Sequence, residues 1–270
     1  MSTRGEVGGV GLERNGLRRR VASYALWALI LVSCPILFVG ALAVWVLTVA
    51  FDHQLRMLHL YSSAWAALYT YVFPYWTVRI RNRERIRNDR ACVLVSNHQS
   101  LLDILVLFRL YKHYKWVSKI EIFRLPFVGW NMTLNRYIPI RRGDRADARR
   151  MMEACGRALR GGSSVMMFPE GTRSPDGQLR EFRHGAFTLA HREQVPILPI
   201  VLDGTTDALP KHGLVLRRAA HIVVQVLKPI DTRAFPDADA LREHVHALMA
   251  ETLERLRAER GRAERSAAKR

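Results

Sequence analysis

The chain begins with a charged stretch and then carries no charged residue from position 21 to position 51. A helix rises about 1.5 Å per residue, so a run of about thirty residues outreaches a hydrocarbon core of about 30 Å. Pro35 and Gly40 lie inside this run and predict a kink or a break. After the polar stretch Asp52-His53-Gln54-Leu55-Arg56, a second and milder uncharged run covers 57–78. The pattern predicts a two-helix membrane hairpin over 21–78, with a spanning and a half-immersed arrangement both open. Tyr69, Tyr71, Tyr75 and Trp76 suit an aromatic belt at headgroup depth.

Past the hairpin the rhythm changes to short apolar runs alternating with helical spacing. Val78-Arg79-Ile80-Arg81 alternates as an edge strand does, and 92–96 reads as a buried strand followed by helical spacing over 101–110. Trp116-Val117 is a short strand, and Tyr137-Ile138-Pro139-Ile140 a better one whose proline places it at an edge. Residues 146–159 predict an amphipathic helix with Met151, Met152, Cys155 and Leu159 on one stripe, stopped by Gly161-Gly162. Strands follow at 164–168, 197–202 and 222–227, with helices at 185–191 and 238–256. No internal repeat is visible. The alternation predicts an α/β fold, a mixed sheet flanked by helices, preceded by the hairpin. The expected division is a basic N-terminal segment at 1–20, the hairpin at 21–78, a globular domain at 79–256 and a charged tail at 257–270 that frays.

Charge sharpens this picture. Lysine and arginine number 42 against 24 acidic residues, a net charge of +18. Such an excess favours an anionic membrane surface or nucleic acid. No nucleic-acid-binding motif is present and a hairpin has no use in such a protein, so nucleic acid is set aside as a partner. Arg14, Arg18, Arg19 and Arg20 precede the first apolar run, and Arg79, Arg81, Arg83, Arg85, Arg87 and Arg90 follow the second. Two basic flanks place both ends, and the domain with them, on the cytoplasmic face of the cell membrane. A cleaved signal peptide does not fit, because its apolar core is only about 7–15 residues long. Cys34, Cys92 and Cys155 are far apart. They predict neither a disulfide framework nor a metal site, and they fit a reducing compartment.

The chemistry gathers in two blocks, Asn97-His98-Gln99-Ser100-Leu101-Leu102-Asp103 and Phe168-Pro169-Glu170-Gly171-Thr172-Arg173-Ser174. Each follows an apolar run, where a buried strand ends in a loop and α/β proteins commonly keep their sites. Histidine can accept a proton near neutrality, and a carboxylate can orient it. In one continuous helix five residues separate two side chains by about 140°. The pair can meet only if His98 lies in a loop and Asp103 in the first helical turn. Ser100, three positions before Asp103, fits that junction as a capping box. The plainer reading is a helix cap with an incidental histidine, and a solvated turn shaped by Pro169 and Gly171.

Taken together the two blocks resemble the signature of the glycerophospholipid acyltransferases, most closely the 1-acylglycerol-3-phosphate acyltransferases, with their H-x4-D and F-P-E-G-T-R-S motifs. Tyr137-Ile138-Pro139-Ile140-Arg141-Arg142 looks like the family's arginine-bearing second motif, Arg142 matching its final arginine and Arg141 standing where many members carry an acid. Val195-Pro196-Ile197-Leu198-Pro199-Ile200 is similar to the fourth motif and is read as packing. Phe182-Arg183-His184-Gly185-Ala186 resembles a basic-glycine stretch, with His184 read as a surface loop residue, and Lys119-Ile120-Glu121 resembles the approach to the second motif. The likeness covers about 90–202.

The resemblance implies an acyltransferase domain that moves a fatty acyl group from acyl-CoA or acyl-carrier protein to the sn-2 hydroxyl of lysophosphatidic acid. It implies that His98 is the base, Asp103 its orienting partner, and the substrate hydroxyl the nucleophile. It implies that Arg142 and Arg173 grip phosphate, that Glu170 organises the acceptor site, that Gly171 admits close backbone approach, and that Thr172 belongs to the same binding block. No metal and no cofactor beyond the acyl donor are expected. The expected partners are a membrane lipid acceptor, the acyl donor and an anionic membrane surface. Another lysophospholipid or a lyso-aminolipid could serve as acceptor. A non-catalytic membrane tether is the alternative of another class, against which His98 and Asp103 both argue.

Overall fold

The computed structural model describes residues 7–73, 75–209, 216 and 220–268, with the backbone alone for 7–16, 18–19 and 267–268. The side chains of Arg14, Arg18 and Arg19, from the basic flank, and residues 1–6 lie outside the described set, as does Pro74.

The first apolar run is one helix, α1 (Val7–Thr48), with Pro35 inside it. Its stretch Arg20–Thr48 has a mean hydropathy of 2.6 and, among the described residues, is the one helix long and apolar enough to cross a membrane. A tight hinge, with Leu55 at φ 59°, turns into α2 (Arg56–Val72). The Asp52 carboxylate accepts the Met57 N–H at 2.7 Å, an anion at the positive end of that helix. The two helices pack antiparallel. Gly40 proves to be a contact point, not a break: a side chain there would collide with the Tyr61 hydroxyl, which itself donates to Leu37 O at 3.0 Å.

The second half of the expected membrane hairpin is not confirmed. One face of α2 carries the buried His59, Ser62, Ser63 and Trp65. His59 bonds the Tyr137 hydroxyl at 2.8 Å and Lys112 O at 2.9 Å, and the amides of Asn131 and Asn135 each donate to Ser62 Oγ at 3.0 Å. Buried polar groups must be satisfied, and here the globular domain satisfies those of α2, so α2 is one of its structural helices. The aromatic belt divides accordingly. Tyr71 and Tyr75 are exposed, whereas Tyr69 is buried, 2.8 Å from Ser33 Oγ, and Trp76 opens a strand.

The remaining elements are β1 (Trp76–Arg81), β2 (Val93–Ser96), α3 (Leu102–Phe108), β3 (Tyr114–Lys119), α4 (Val128–Leu134), β4 (Ile138–Ile140), α5 (Arg145–Arg160), β5 (Ser164–Met167), α6 (Gly185–Arg192), β6 (Ile197–Asp203), α7 (Thr205–Ala208), β7 (Ala220–Val226) and α8 (Ala238–Ala268). The strands form one sheet in the order β1-β7-β6-β2-β5-β3-β4. Five strands from β6 to β4 run parallel; β7 turns against β6, and β1 lies parallel to β7. The mixed sheet flanked by helices is therefore what the alternation predicts.

Successive side chains of a strand face opposite ways, and both faces here are apolar. Leu94 and Met166 point into a core shared with α3 and the end of α2, while Val93, Val95, Val165 and Met167 face α5, α6 and α8. The three cysteines are buried and unbridged. The helix α4 is absent from the sequence expectation because seven residues give too short a window for periodicity. The fraying of the tail is also corrected. Although the apolar stripe of α8 stops at Leu256, the helix continues to Ala268, held by Arg257 and Arg260 against Asp203 and by Glu259 against Arg81.

Candidate active site

The site lies where the parallel strands β2, β5 and β6 run out at their C-terminal ends. Beyond Ser96 the chain leaves the sheet, yet Asn97 prolongs the pairing through its side chain. Its amide donates to Leu202 O at 2.8 Å and accepts the Leu202 N–H at 2.7 Å. That two-point bond to β6 fixes the start of the loop that carries His98.

His98 sits in this loop and Asp103 in the first turn of α3, the break that the five-residue spacing requires. His98 Nδ1 and Asp103 Oδ2 are 2.8 Å apart. The same carboxylate oxygen accepts the N–H groups of Gln99 at 2.6 Å and Ser100 at 2.8 Å. Half of the expected capping box is thus realised; the Ser100 hydroxyl accepts from Leu102 N–H at 3.2 Å and donates to Leu209 O. Asp103 is fully buried, and those donors satisfy its Oδ2. His98 is 8 % exposed, and its ring stacks on Phe168 at 3.9 Å with a tilt of 12°. With Nδ1 engaged, Nε2 is left without a partner among the described residues.

The second block supports the first from below. Glu170 is buried, and it touches backbone: one oxygen accepts the His98 N–H at 2.7 Å, the other the Arg180 N–H at 3.2 Å. Burial pushes its carboxyl up to about 7, against the pull of those two peptide donors, and the nearby Asp103 charge adds to the rise. The Ser174 N–H closes the arrangement on His98 O at 2.7 Å. Both blocks are therefore one unit, stitched around the His98 peptide.

Beside this unit stands a group of arginines. Gly171 has φ +70°, and a side chain there would strike the Arg183 guanidinium, with Nε at 2.6 Å. Arg183 is placed by its N–H donating to Pro169 O at 2.9 Å. The Arg142 guanidinium is pushed below its ordinary value, first by partial burial, then by the positive charges of Arg183 and Arg173, while Glu121 pulls the other way. Glu121 is itself 3.3 Å from Lys119. Arg142, Arg173 and Arg183 thus share one region without an ion-paired carboxylate among the described residues, an arrangement suited to an anion with several oxygens. The backbone N–H of Arg141 donates to Asp147.

Of the residues expected from sequence, His98 and Asp103 meet, and Arg142 and Arg173 share one electrostatic neighbourhood with Arg183 around Gly171. Thr172 is half-buried with no side-chain hydrogen bond among the described residues. Glu170 faces the backbone of the loop that carries His98, and Arg183 and Phe168 join the site. Only the basic character of the 182–186 stretch signalled Arg183; Phe168 opens the second block, but nothing local marked its ring as one that stacks on His98. His184 points away, 2.7 Å from Asp239. Among the described residues no cluster of potential metal ligands occurs.

Comparison with known proteins bears on this geometry. The sequence model of the acyltransferase family matches residues 77–203. A 1-acyl-sn-glycerol-3-phosphate acyltransferase of Chlamydomonas reinhardtii is 36 % identical over 230 residues, 84 % of this chain and 68 % of that protein. A chloroplastic enzyme of the same name from Brassica napus is 37 % identical over 182 residues, 67 % of this chain and 52 % of its own length. A second, from Arabidopsis thaliana, is matched over 56 % of its length at 35 % identity. The chain therefore spans about half the length of these two curated relatives. The crystal structure of the 1-acyl-sn-glycerophosphate acyltransferase from Thermotoga maritima superimposes with a TM-score of 0.77, covering 90 % of this chain and 98 % of that one, at 23 % identity. That likeness establishes the fold.

Proposed function

Because this chain belongs to the acyltransferase family, we propose that it transfers a fatty acyl group from an acyl thioester to the sn-2 hydroxyl of lysophosphatidic acid, forming phosphatidic acid. The observation that carries this reading is the 2.8 Å bond between His98 Nδ1 and Asp103 Oδ2 beside the arginine group.

The chemistry runs through His98 Nε2. Asp103 holds the proton on Nδ1, so the opposite nitrogen offers its lone pair to the acceptor hydroxyl. As the hydroxyl proton moves to Nε2, with the Nδ1 proton held in place by Asp103, the hydroxyl oxygen bonds the thioester carbonyl carbon. The tetrahedral adduct then collapses, the C–S bond breaks, and the departing thiolate takes the proton back from the imidazolium. No enzyme nucleophile is needed. Asp103 stabilises the transient imidazolium, and Phe168 supports one face of its ring. Arg142, Arg173 and Arg183 hold the acceptor's phosphate, an assignment supported by their grouping around Gly171.

A membrane position is supported by the apolar face of α1, on which Leu31, Val32, Ile36, Val39 and Leu47 are exposed. With α1 half-immersed and not crossing, both basic flanks stay on one side of the membrane, which supports a cytoplasmic position for the domain. The substrate is tested with the purified chain in detergent, following thiol release from acyl-CoA and acyl-carrier protein in parallel over a panel of lysophospholipids. Release dependent on lysophosphatidic acid supports the reading. Release with another lysophospholipid only, or with none, overturns it.

A further inference from the structure

The long C-terminal helix reaches the catalytic loop by a chain of contacts that ordinary packing does not require. Its apolar stripe ends at Leu256, and the next residue, Arg257, turns toward the strand ends. The Arg257 guanidinium donates to the Gly177 carbonyl and, at 2.9 Å, to Gln178 Oε1. Its Nε lies 3.8 Å from Asp203, the last residue of β6, which is 2 % exposed. Arg260 reaches the same carboxylate at 3.2 Å and also pairs with Asp207.

The Gly177 carbonyl is a node. It also accepts a hydrogen bond from Gln99 Nε2 at 3.1 Å, while Gln99 Oε1 receives the Thr206 hydroxyl at 3.2 Å. Gly177 is at φ +78°, and a side chain there would lie 3.1 Å from the Arg257 guanidinium and 4.0 Å from the Gln99 amide carbon. Gln99 follows His98 directly, and its own N–H bonds Asp103 at 2.6 Å. One carbonyl and one side chain thus separate Arg257 from the His98–Asp103 pair.

From these contacts we infer that Arg257 is a positioning residue: through the Gly177 carbonyl and Gln99 it holds the catalytic loop in the geometry that keeps His98 on Asp103. The inference rests on the proposed acyl transfer, in which His98 acts as base. A charged donor to a buried carbonyl makes a strong bond, and a displacement of about 1 Å at a catalytic group can cost about 10²-fold in rate. Arg257 touches no reacting atom. Its loss should lower kcat and leave acceptor binding intact, because the bonds of Arg257 go to Gly177, Gln178 and Asp203 and none goes to the arginines around Gly171.

Arg257→Met keeps the apolar stem and removes the donors. With acyl-CoA and lysophosphatidic acid, its kcat should fall about tenfold, with KM within about twofold of wild type. Arg257→Lys should recover part of the loss. Arg81→Gln breaks the neighbouring tie of the same helix, Arg81 to Glu259 at 2.7 Å, and should leave kcat unchanged. A double-mutant cycle with Gln99→Met provides a second route: the pair should lose no more than the larger single loss, since both cut one path. Unchanged kcat in Arg257→Met, an equal fall in Arg81→Gln, or multiplicative losses in the cycle would each overturn the inference. Wild-type turnover, measured alongside, tests the acyltransferase reading separately.

Discussion

At the scale of single residues, the site is built on side chains that bond backbone as much as on those that meet substrate. Glu170 shows this most clearly. Its carboxyl is held near 7 by burial, above the ordinary value of about 4.3. The folded protein therefore keeps a proton that the unfolded chain has lost, and the contribution of Glu170 to stability falls as pH rises from about 4.3 through 7 and levels off above it. His113, held by burial down at about 4, contributes in the opposite direction over the lower part of that range. Urea titrations at successive pH values should therefore show Glu170→Gln losing the falling component relative to wild type; an identical pH profile in the variant would reject the assignment. Glu170→Ala, which leaves the buried His98 N–H unpaired, should cost about 1–3 kcal/mol, read from the denaturation midpoint. The meeting of His98 and Asp103 was legible in the sequence because their spacing admits one geometry only, a loop histidine and a first-turn aspartate. The partner of Glu170 was not legible. A carboxylate that binds the peptides of His98 and Arg180 leaves no local mark, since the bonds form only once β2 and β5 lie side by side.

At the scale of elements, α1 and α2 show where hydropathy misleads. Both read as apolar and uncharged, yet α1 exposes its apolar side chains while α2 hides His59, Ser62 and Ser63 against the domain. Hydropathy sums a window; burial depends on which face meets what. The polar residues of α2 were the available signal, because histidine and serine on one helical face need partners that lipid does not supply. Ser62→Val should strand the Asn131 amide, while the Asn135 amide keeps Asn131 O at 2.9 Å, and destabilise the protein by about 1–3 kcal/mol, measured by thermal denaturation in detergent. Full retention of stability would show that this network does not dock α2. The C-terminal helix gives the converse lesson. Its apolar pattern ends at Leu256, so sequence reading stops there, but ion pairs to Asp203 and Arg81 carry the helix on.

At the scale of the whole molecule, an excess of 18 positive charges, an exposed apolar helix and a site at the strand ends fit the proposed work against a lipid surface. Charge and apolar contact separate under salt, since screening shortens electrostatic reach to about 3 Å at 1 M. Flotation with vesicles should show stronger capture by anionic than by neutral lipid at low salt. A fraction that stays bound at 1 M salt is expected from α1, and complete release there would contradict the anchor. The order of strands, and hence the meeting of β2, β5 and β6 at one edge of chemistry, lay beyond the sequence pattern, which names strands without pairing them. The central claim is that His98, held by Asp103, takes the proton of the acceptor hydroxyl. It is tested most directly by turnover of purified His98→Ala with acyl-CoA and lysophosphatidic acid, on protein shown to be folded. Turnover should fall by about 10²–10⁴-fold with the melting temperature preserved, whereas near-normal turnover would contradict the account.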